Sequence, residues 1–442
     1  MVGAGPGDPK LITLRGVECL RLADLVLYDS LVNAAILGHV PPSAELVCLG
    51  PHPGRPTVSA EEVHARMIDA ARQGKAVVRL KVGDPEIFGG TAPEVEALHA
   101  AGIPLEIVPG ITAAVAVAAC AEIPLTHPDH ASAVAWVVAH QKEGFARPPV
   151  DYEALAPFPG TLVFYMGESS AEQWSDGLIR GGKSPDTPVA IVRRVSWSDQ
   201  QTVRCTLGEV SQAIDAQGQG PPAVIVVGEV VSLAPKVSWF AARPLLGTRV
   251  LITRPRAQAR GLCDRLTELG ARVDVHPVIQ ISDPPDWEPV DRALEELGRY
   301  DWLVFSSVNG VDYLLDRLLA RGGDLRKLGG VRLAAIGPAT AEQLTRYRLR
   351  ADLIPDEYRA EALAAALSGE AAGRSFLLAR ASRGRDLLAE QLRAAGGTVH
   401  QVVVYSSTDV TEADPHLAEA LLARWGSDRK STRLNSSHVK IS

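Results

Sequence analysis

A chain of 442 residues with 46% hydrophobic and 22% charged residues can bury sizeable cores, and its length predicts about three compact units. A formal net charge of -7 argues against nucleic acid or an anionic membrane as the main partner, and every apolar run is broken before the roughly 20 residues a bilayer span needs. Five scattered cysteines (Cys19, Cys48, Cys120, Cys205, Cys263) form no C-x-x-C pair, so neither a metal site nor a disulfide framework is predicted, and with no signal peptide in view a cytoplasmic location fits.

The chain opens MVGAGPGDPKLITL. Gly3, Gly5 and Gly7 are spaced G-x-G-x-G, not the G-x-G-x-x-G of a dinucleotide fingerprint, and Asp8 stands where a pyrophosphate would meet negative charge. The loop therefore suits close backbone approach to a ligand better than anion capture. Leu11, Leu14, Val17 and Leu20 predict a helix leading to the buried strand LVLYD, which ends at Asp29. Ser59 and Glu62 make a capping-box pair that opens a helix faced by Val63, Met67 and Ala70. VVRLK reads as a strand, APEVEALHAAG as a helix closed by glycine, and PLEIVPGI as a strand entering a tight turn. This βαβ alternation predicts a largely parallel sheet whose ligands sit at the carboxyl ends of strands, where Asp29, Gly83-Asp84 and Pro109 to Thr112 fall. A second unit, from about Ala133 to Leu233, carries the strands AVAWVVA, TLVFYMG, PVAIV and PAVIVVG, and SWFAARPLLG reads as a linker.

Sliding the chain against itself exposes a repeat. RVLITRPRAQARGLCDRLTELGARVDVHPVIQIS and SFLLARASRGRDLLAEQLRAAGGTVHQVVVYSST share a strand, a basic loop, an amphipathic helix, a glycine and a second strand. Two similar lobes are expected, the second cut short, because after the helix LAEALLARW the sequence turns polar and aperiodic. DRKSTRLNSSH, Asp428 to His438, back-translates with allowed codons into a common sequencing-library adapter. Residues 427–442 are therefore set aside as a non-native tail, a disordered polar terminus being the alternative.

VGAGPGDPKLITLRG, ADLVLYDSLV, VVRLKVGDPEIFGG, VPGITAA, IPLTH and TLVFYMG occur in the order and spacing of the tetrapyrrole methylases, and resemble most the uroporphyrinogen-III C-methyltransferases among them. The third unit resembles the uroporphyrinogen-III synthases, from RVLITRP through FSSVNGV, AAIGPATA and VVVYSS. The resemblance implies an α/β protein: a two-lobed class III methyltransferase (lobes 1–118 and 119–240), a linker (241–248), and a partial two-lobed α/β synthase domain (249–426). It implies S-adenosylmethionine as cofactor, tetrapyrroles as substrates, a homodimer, and methylation of uroporphyrinogen III to precorrin-2 on the branch to sirohaem and cobalamin. Carried over by motif, the cofactor site comprises Pro6, Gly83, Asp84, Ile87, Thr112, Ala113, Met166 and Ala223. Asp29 matches the family's proton acceptor, a carboxylate able to take a pyrrole proton or steady a developing cation; an Asp after a strand can also be a cap or turn residue.

Several positions depart from the family pattern. Pro51 stands where the family has a proton-donor lysine, with His52 beside it, while Val82 replaces a glycine, Pro128 a basic residue and Val195 a turn glycine. Relatives also carry a few more hydrophobic residues before VGAG. In the synthase unit, the resemblance places Arg254, Ser306, Ser307, Asn309, Arg380 and Tyr405 in a cleft for a substrate with eight carboxylates, with Arg383 and Arg385 as further basic contacts or solvated surface arginines. In that family the chain leaves the first lobe, builds the second and returns, so the first lobe is expected to keep part of its sheet and this half to be inactive. Two other readings stand: a methylase of a later corrin precursor, favoured by Pro51 and Pro128 and disfavoured by the fused synthase unit, and an NAD-binding oxidoreductase using Asp29 as ribose ligand, disfavoured by the glycine spacing.

Overall fold

Short apolar runs between turn residues make the first sheet. The computed structural model describes residues 1–50, 58–139, 150–216, 222–235 and 238–410. Strands β1 (Val2–Gly3), β2 (Leu25–Tyr28), β3 (Glu45–Cys48) and β4 (Val77–Lys81) lie in the order β1-β4-β2-β3 and are parallel throughout. Helices α1 (Leu14–Arg21) and α2 (Ala60–Arg72) connect β1 to β2 and β3 to β4, and α3 (Ala92–Ala100) follows β4, burying Leu20 on one face of the sheet and Met67 and Leu98 on the other. The expected cap of α2 is made: Ser59 Oγ accepts from Glu62 N at 3.2 Å.

Two expectations for this region need correction. Leu14 is 85% exposed, because Pro9–Leu11 form a separate 3-10 turn and the Thr13 cap restarts the helix, so the 3.6-residue phase does not carry from Leu11 to Leu20. PLEIVPGI is not a strand. Only Val108 pairs, bridging to Val2, since the short β1 offers it no longer ladder and the Met1 ammonium donates to the Glu106 carbonyl instead.

Helix α4 (Ala113–Cys120) leads to a second, mixed sheet of β5 (Val134–Val138), β6 (Thr161–Tyr165), β7 (Pro188–Arg193), β8 (Gln201–Thr206) and β9 (Ala223–Val227) in the order β5-β6-β9-β7-β8. Only the β5 and β6 pair is parallel. Helices α5 (Tyr152–Leu155), α6 (Ala171–Arg180) and α7 (Val210–Ala216) belong to this lobe, with Trp174 stacked on Phe164 at 4.4 Å in its core. The stretch read as a linker holds no helix or strand, yet Phe240 is buried against α4 and β9.

The described chain divides into two compact units, Met1–Val250 with Leu262–Asp274, and Leu251–Gly261 with the described residues from Val275 on. The first repeat copy forms β10 (Arg249–Ile252), α8 (Arg256–Glu268) and β11 (Arg272–Val275). Then come β12 (Ile279–Ser282), α9 (Glu288–Glu295), β13 (Trp302–Phe305), α10 (Val308–Ala320), β14 (Arg332–Ala335), α11 (Pro338–Arg346) and α12 (Ala360–Ser368). The second copy supplies β15 (Ser375–Ala381), α13 (Leu387–Ala394) and the twelve-residue β16 (Thr398–Asp409). The stretch where the second lobe is expected to be cut short lies beyond residue 410, outside the described residues; both copies are strand-helix-strand, the second with the longer strands. Its β16 pairs in parallel with β15 and then antiparallel with β12, in the five-stranded sheet β12-β16-β15-β13-β14, whereas β10 and β11 pair only with each other among the described residues.

Candidate active site

The opening glycines solve a packing problem. A Cβ on Gly3 would lie 2.6 Å from the Gly110 Cα and 2.7 Å from the Gly83 carbonyl oxygen, so the ends of β1 and β4 and the Pro109-Gly110 turn meet backbone to backbone. Gly5, at φ +78°, and Gly83, at φ +69°, exchange hydrogen bonds: Gly83 N donates to the Gly5 carbonyl at 2.8 Å and Gly5 N to the Gly83 carbonyl at 3.1 Å. Asp8 caps the 3-10 turn that follows, accepting from Lys10 N at 2.9 Å. A carboxylate in that place repels a pyrophosphate, which removes the dinucleotide reading.

Asp84 staples the rim together. Its Oδ1 accepts from Glu86 N at 2.8 Å and Ile87 N at 3.2 Å, and its Oδ2 accepts from Gly110 N at 2.9 Å, joining VGDPEI to the Pro109-Gly110 turn. Thr112, buried at the α4 N-terminus, lies 2.6 Å from the Tyr165 hydroxyl, which also accepts from Ala114 N at 2.9 Å. Burial pushes the Tyr165 phenol above its ordinary pKa, and these two bonds oppose the shift. Phe88, next to Ile87, meets Tyr165 edge to face at 5.0 Å. Beyond Tyr165 the chain turns at Met166 (φ +52°), whose side chain stays half exposed; since Tyr165 pairs with Val224, Met166 sits beside Ala223. Strained residues of this kind concentrate at working sites. Pro6, Gly83, Asp84, Ile87, Thr112, Ala113, Met166 and Ala223 are thereby brought to one rim.

Asp29 ends β2 at the same rim, with a network behind it. Arg79 Nη2 lies 2.6 Å from Asp29 Oδ1, and Val82 N donates to Asp29 Oδ2 at 3.3 Å. Arg79 Nε donates to Glu94 Oε1 at 3.1 Å, and Lys81 Nζ donates to Glu94 Oε2 at 2.8 Å. Arg79, Lys81 and Glu94 are buried and Asp29 is partly exposed, so the four alternate in charge from core to surface. Burial is also the main reason the Lys81 ammonium falls below its usual pKa. A further half-buried pair, Glu168 and Arg193, lies at 3.3 Å beside Met166 and Ala223, where burial raises the Glu168 pKa.

Residues absent from the sequence reading are therefore Tyr165, Phe88, Arg79, Lys81, Glu94 and Trp197. The signal for the network was present: Arg79 and Lys81 share one face of an otherwise apolar parallel strand, where a buried cation requires a partner. Trp197 lies on the loop, a Cβ at Gly7 falling 2.2 Å from its ring, and Ser196 Oγ accepts from Asp8 N at 2.9 Å. Val195 is buried between Arg194 (φ +48°) and Ser196 (φ +66°). Pro51 and His52 lie outside the described residues, while Pro128 falls in the His127–Ala131 hairpin bridge.

In the other unit, Ser307 caps α10 by accepting from Gly310 N at 3.0 Å, and the Tyr405 hydroxyl donates to Ser307 Oγ at 3.1 Å. Gln258 Nε2 donates to Asn309 Oδ1 at 2.8 Å, and Ser306 is exposed. The repeat-loop arginines already hold carboxylates: Arg380 with Asp386, Arg383 with Asp409 at 2.8 Å, and Arg385 with Glu361 at 3.0 Å. Arg254 has no ion-pair partner among the described residues.

The family model for tetrapyrrole (corrin/porphyrin) methylases matches residues 1–211, and that for the uroporphyrinogen-III synthase HemD matches residues 261–426. A porphyrin biosynthesis protein HemD of Ruminiclostridium josui is 35% identical over 414 residues, 93% of this chain and 82% of its own length. A uroporphyrinogen-III C-methyltransferase of Bacillus subtilis is 36% identical over 355 residues, 80% of this chain and 73% of its length. A siroheme synthase 1 of Klebsiella pneumoniae is 45% identical over 240 residues, 54% of this chain and 50% of that one. Among solved structures, a uroporphyrin-III C-methyltransferase from Thermus thermophilus, complexed with S-adenosylhomocysteine, is 36% identical with a TM-score of 0.45, covering 52% of this chain and 97% of its own.

Proposed function

The chain belongs to the tetrapyrrole methylases, fused to a uroporphyrinogen-III synthase segment, and on that premise we propose that it carries two methyl groups from S-adenosylmethionine to uroporphyrinogen III, giving precorrin-2. The observation that carries this reading is the Asp29 carboxylate, anchored beside Val82-Gly83 on the rim that gathers Pro6, Asp84, Thr112 and Met166. When bound, the cofactor supplies a methyl group on positively charged sulfur, which departs without acid assistance. The rim fits such a group: the Asp84 carboxylate is taken up by backbone N–H groups, and the arginines beside the rim, Arg79 and Arg193, are already paired with Asp29 and Glu168, so neither is free to call for a phosphate.

The protein's share is positioning and electrostatics. Tyr165 fixes Thr112 and the first turn of α4, and Asp84 fixes the Pro109-Gly110 turn, so the walls are set before any ligand arrives. Asp29 Oδ2 spends one lone pair on Val82 N–H and retains capacity to accept a pyrrole proton or to steady positive charge as the ring is methylated. A cytoplasmic homodimer completes the proposal, and among the described residues no helix is long and apolar enough to cross a membrane. For the synthase segment we propose inactivity toward hydroxymethylbilane, supported by Arg380, Arg383 and Arg385 being already engaged by the chain's own acids.

The test is anaerobic incubation of the full chain with uroporphyrinogen III and labelled S-adenosylmethionine. Addition of two methyl groups, read by mass and absorbance, supports the assignment; cofactor binding without methylation overturns uroporphyrinogen III as substrate. Hydroxymethylbilane supplied in its place tests the synthase half.

A further inference from the structure

A carboxylate that is to receive a proton or face a cation must be ionised and must point the same way in every turnover. Asp29 stands at a strand end with no helix of its own to orient it, and its two fixed contacts are the Val82 N–H and the Arg79 guanidinium. Arg79 could not perform this task alone. A buried guanidinium with a single partly exposed partner is costly, and it would be free to rotate. Glu94, in the first turn of α3, takes Arg79 Nε, while Arg79 Nη1 donates to the Leu80 carbonyl at 3.1 Å. That leaves Nη2 for Asp29. Glu94 would in turn be a buried anion shared unevenly, and Lys81, on the same strand face as Arg79, takes its second oxygen. Planarity matters here, because one guanidinium reaches three acceptors in fixed directions and an ammonium cannot.

We propose that Arg79 is the positioning residue of the methylase site, holding the Asp29 carboxylate in its working orientation, and that Glu94, itself anchored by Lys81, fixes Arg79 for the purpose. The proposal rests on Asp29 serving the transfer chemistry. It touches no bound group directly: Arg79 acts through Asp29, so its removal changes the reaction and leaves the binding of the cofactor at Pro6, Thr112 and Met166 as it was.

The experiment is a double-mutant cycle on the full chain, with Asp29→Asn, Arg79→Gln, Arg79→Lys and both double variants, reading kcat, KM for uroporphyrinogen III, and S-adenosylhomocysteine affinity by calorimetry. Arg79→Gln is expected to lower kcat by about tenfold to a hundredfold with cofactor affinity within about twofold, and Arg79→Lys to recover part of the loss. In the Asp29→Asn background neither Arg79 substitution should lower kcat further. Equal losses from Arg79→Gln in both backgrounds, or loss of cofactor affinity along with kcat, overturn the proposal. If Arg79→Gln does not fold, the cycle is closed with Arg79→Lys, which keeps the charge and loses the fork. Full activity of Asp29→Asn would instead remove the role assigned to Asp29, an outcome readable separately from anything at Arg79.

Discussion

Replacing Gly110 by alanine offers the sharpest test of why this chain opens with glycines. The added Cβ would lie 2.1 Å from the Gly83 carbonyl oxygen and 2.8 Å from the Gly3 Cα, where real Cβ atoms essentially never come within 3.0 Å. Gly110 is not in the left-handed region, so the effect is steric and not conformational. Both obstacles are backbone, which cannot swing aside as a side-chain tip does, and relief requires the strand ends to part by about 1 Å in a close-packed interior. Overpacking costs about 1–3 kcal/mol, and with two backbone clashes we expect about 3 kcal/mol. Gly74→Ala is the control: Gly74 has φ +79° with nothing within 4 Å of its added Cβ, so it carries left-handed strain alone, about 1 kcal/mol. Hydrogen exchange by mass spectrometry localises the result. Peptides around Gly3, Gly83 and Gly110 should exchange about a hundredfold faster in Gly110→Ala, with cofactor affinity falling by about tenfold or more. Exchange no faster at those peptides than in Gly74→Ala would refute the packing argument.

Tyr165→Phe removes the acceptor of Ala114 N–H and the partner of Thr112, and should destabilise the α4 N-terminus by about 1–2 kcal/mol while weakening cofactor binding, as read by denaturation and calorimetry. Ser307→Ala deletes the α10 cap and strands the Tyr405 hydroxyl, lowering the denaturation midpoint of that unit by the equivalent of about 1 kcal/mol. Burial pushes the Cys120 and Cys205 thiols up to about 11. Both should therefore resist iodoacetamide in the native chain at neutral pH, and their stabilising contribution, full below the unfolded thiol's pKa, should disappear as pH rises through about 11, which peptide mapping and pH-dependent melting would detect.

Much of this architecture follows from local pattern. LVLYD and VVRLK become parallel strands because they are short apolar runs bounded by breakers, and the Ser59 cap forms because its hydroxyl has an N–H to meet three residues on. Elements that depend on a distant partner were harder to read. PLEIVPGI looks like a strand in isolation but finds only Val2 to pair with, and QTVRCT, polar and unremarkable by itself, becomes β8 because β7 offers an edge. At the candidate site, motif order picked out Asp29, Asp84 and Thr112 as candidates; the cations of VVRLK signalled a buried partner, but which acids they meet, Asp29 and Glu94, shows only in the fold. A lone carboxylate after a strand reveals nothing of the guanidinium beneath it.

Trp197 gives the glycine loop a built-in gauge. Its indole rests against Gly7, carries the Arg194 guanidinium over its ring at 4.1 Å, and neighbours the Ser196 hydroxyl that takes the Asp8 N–H across the two lobes. Any widening between the loop and the β7–β8 turn must lift this indole into water and red-shift its emission, so in a chain whose other six tryptophans are replaced by phenylalanine, fluorescence reports the fit of the loop with no label attached.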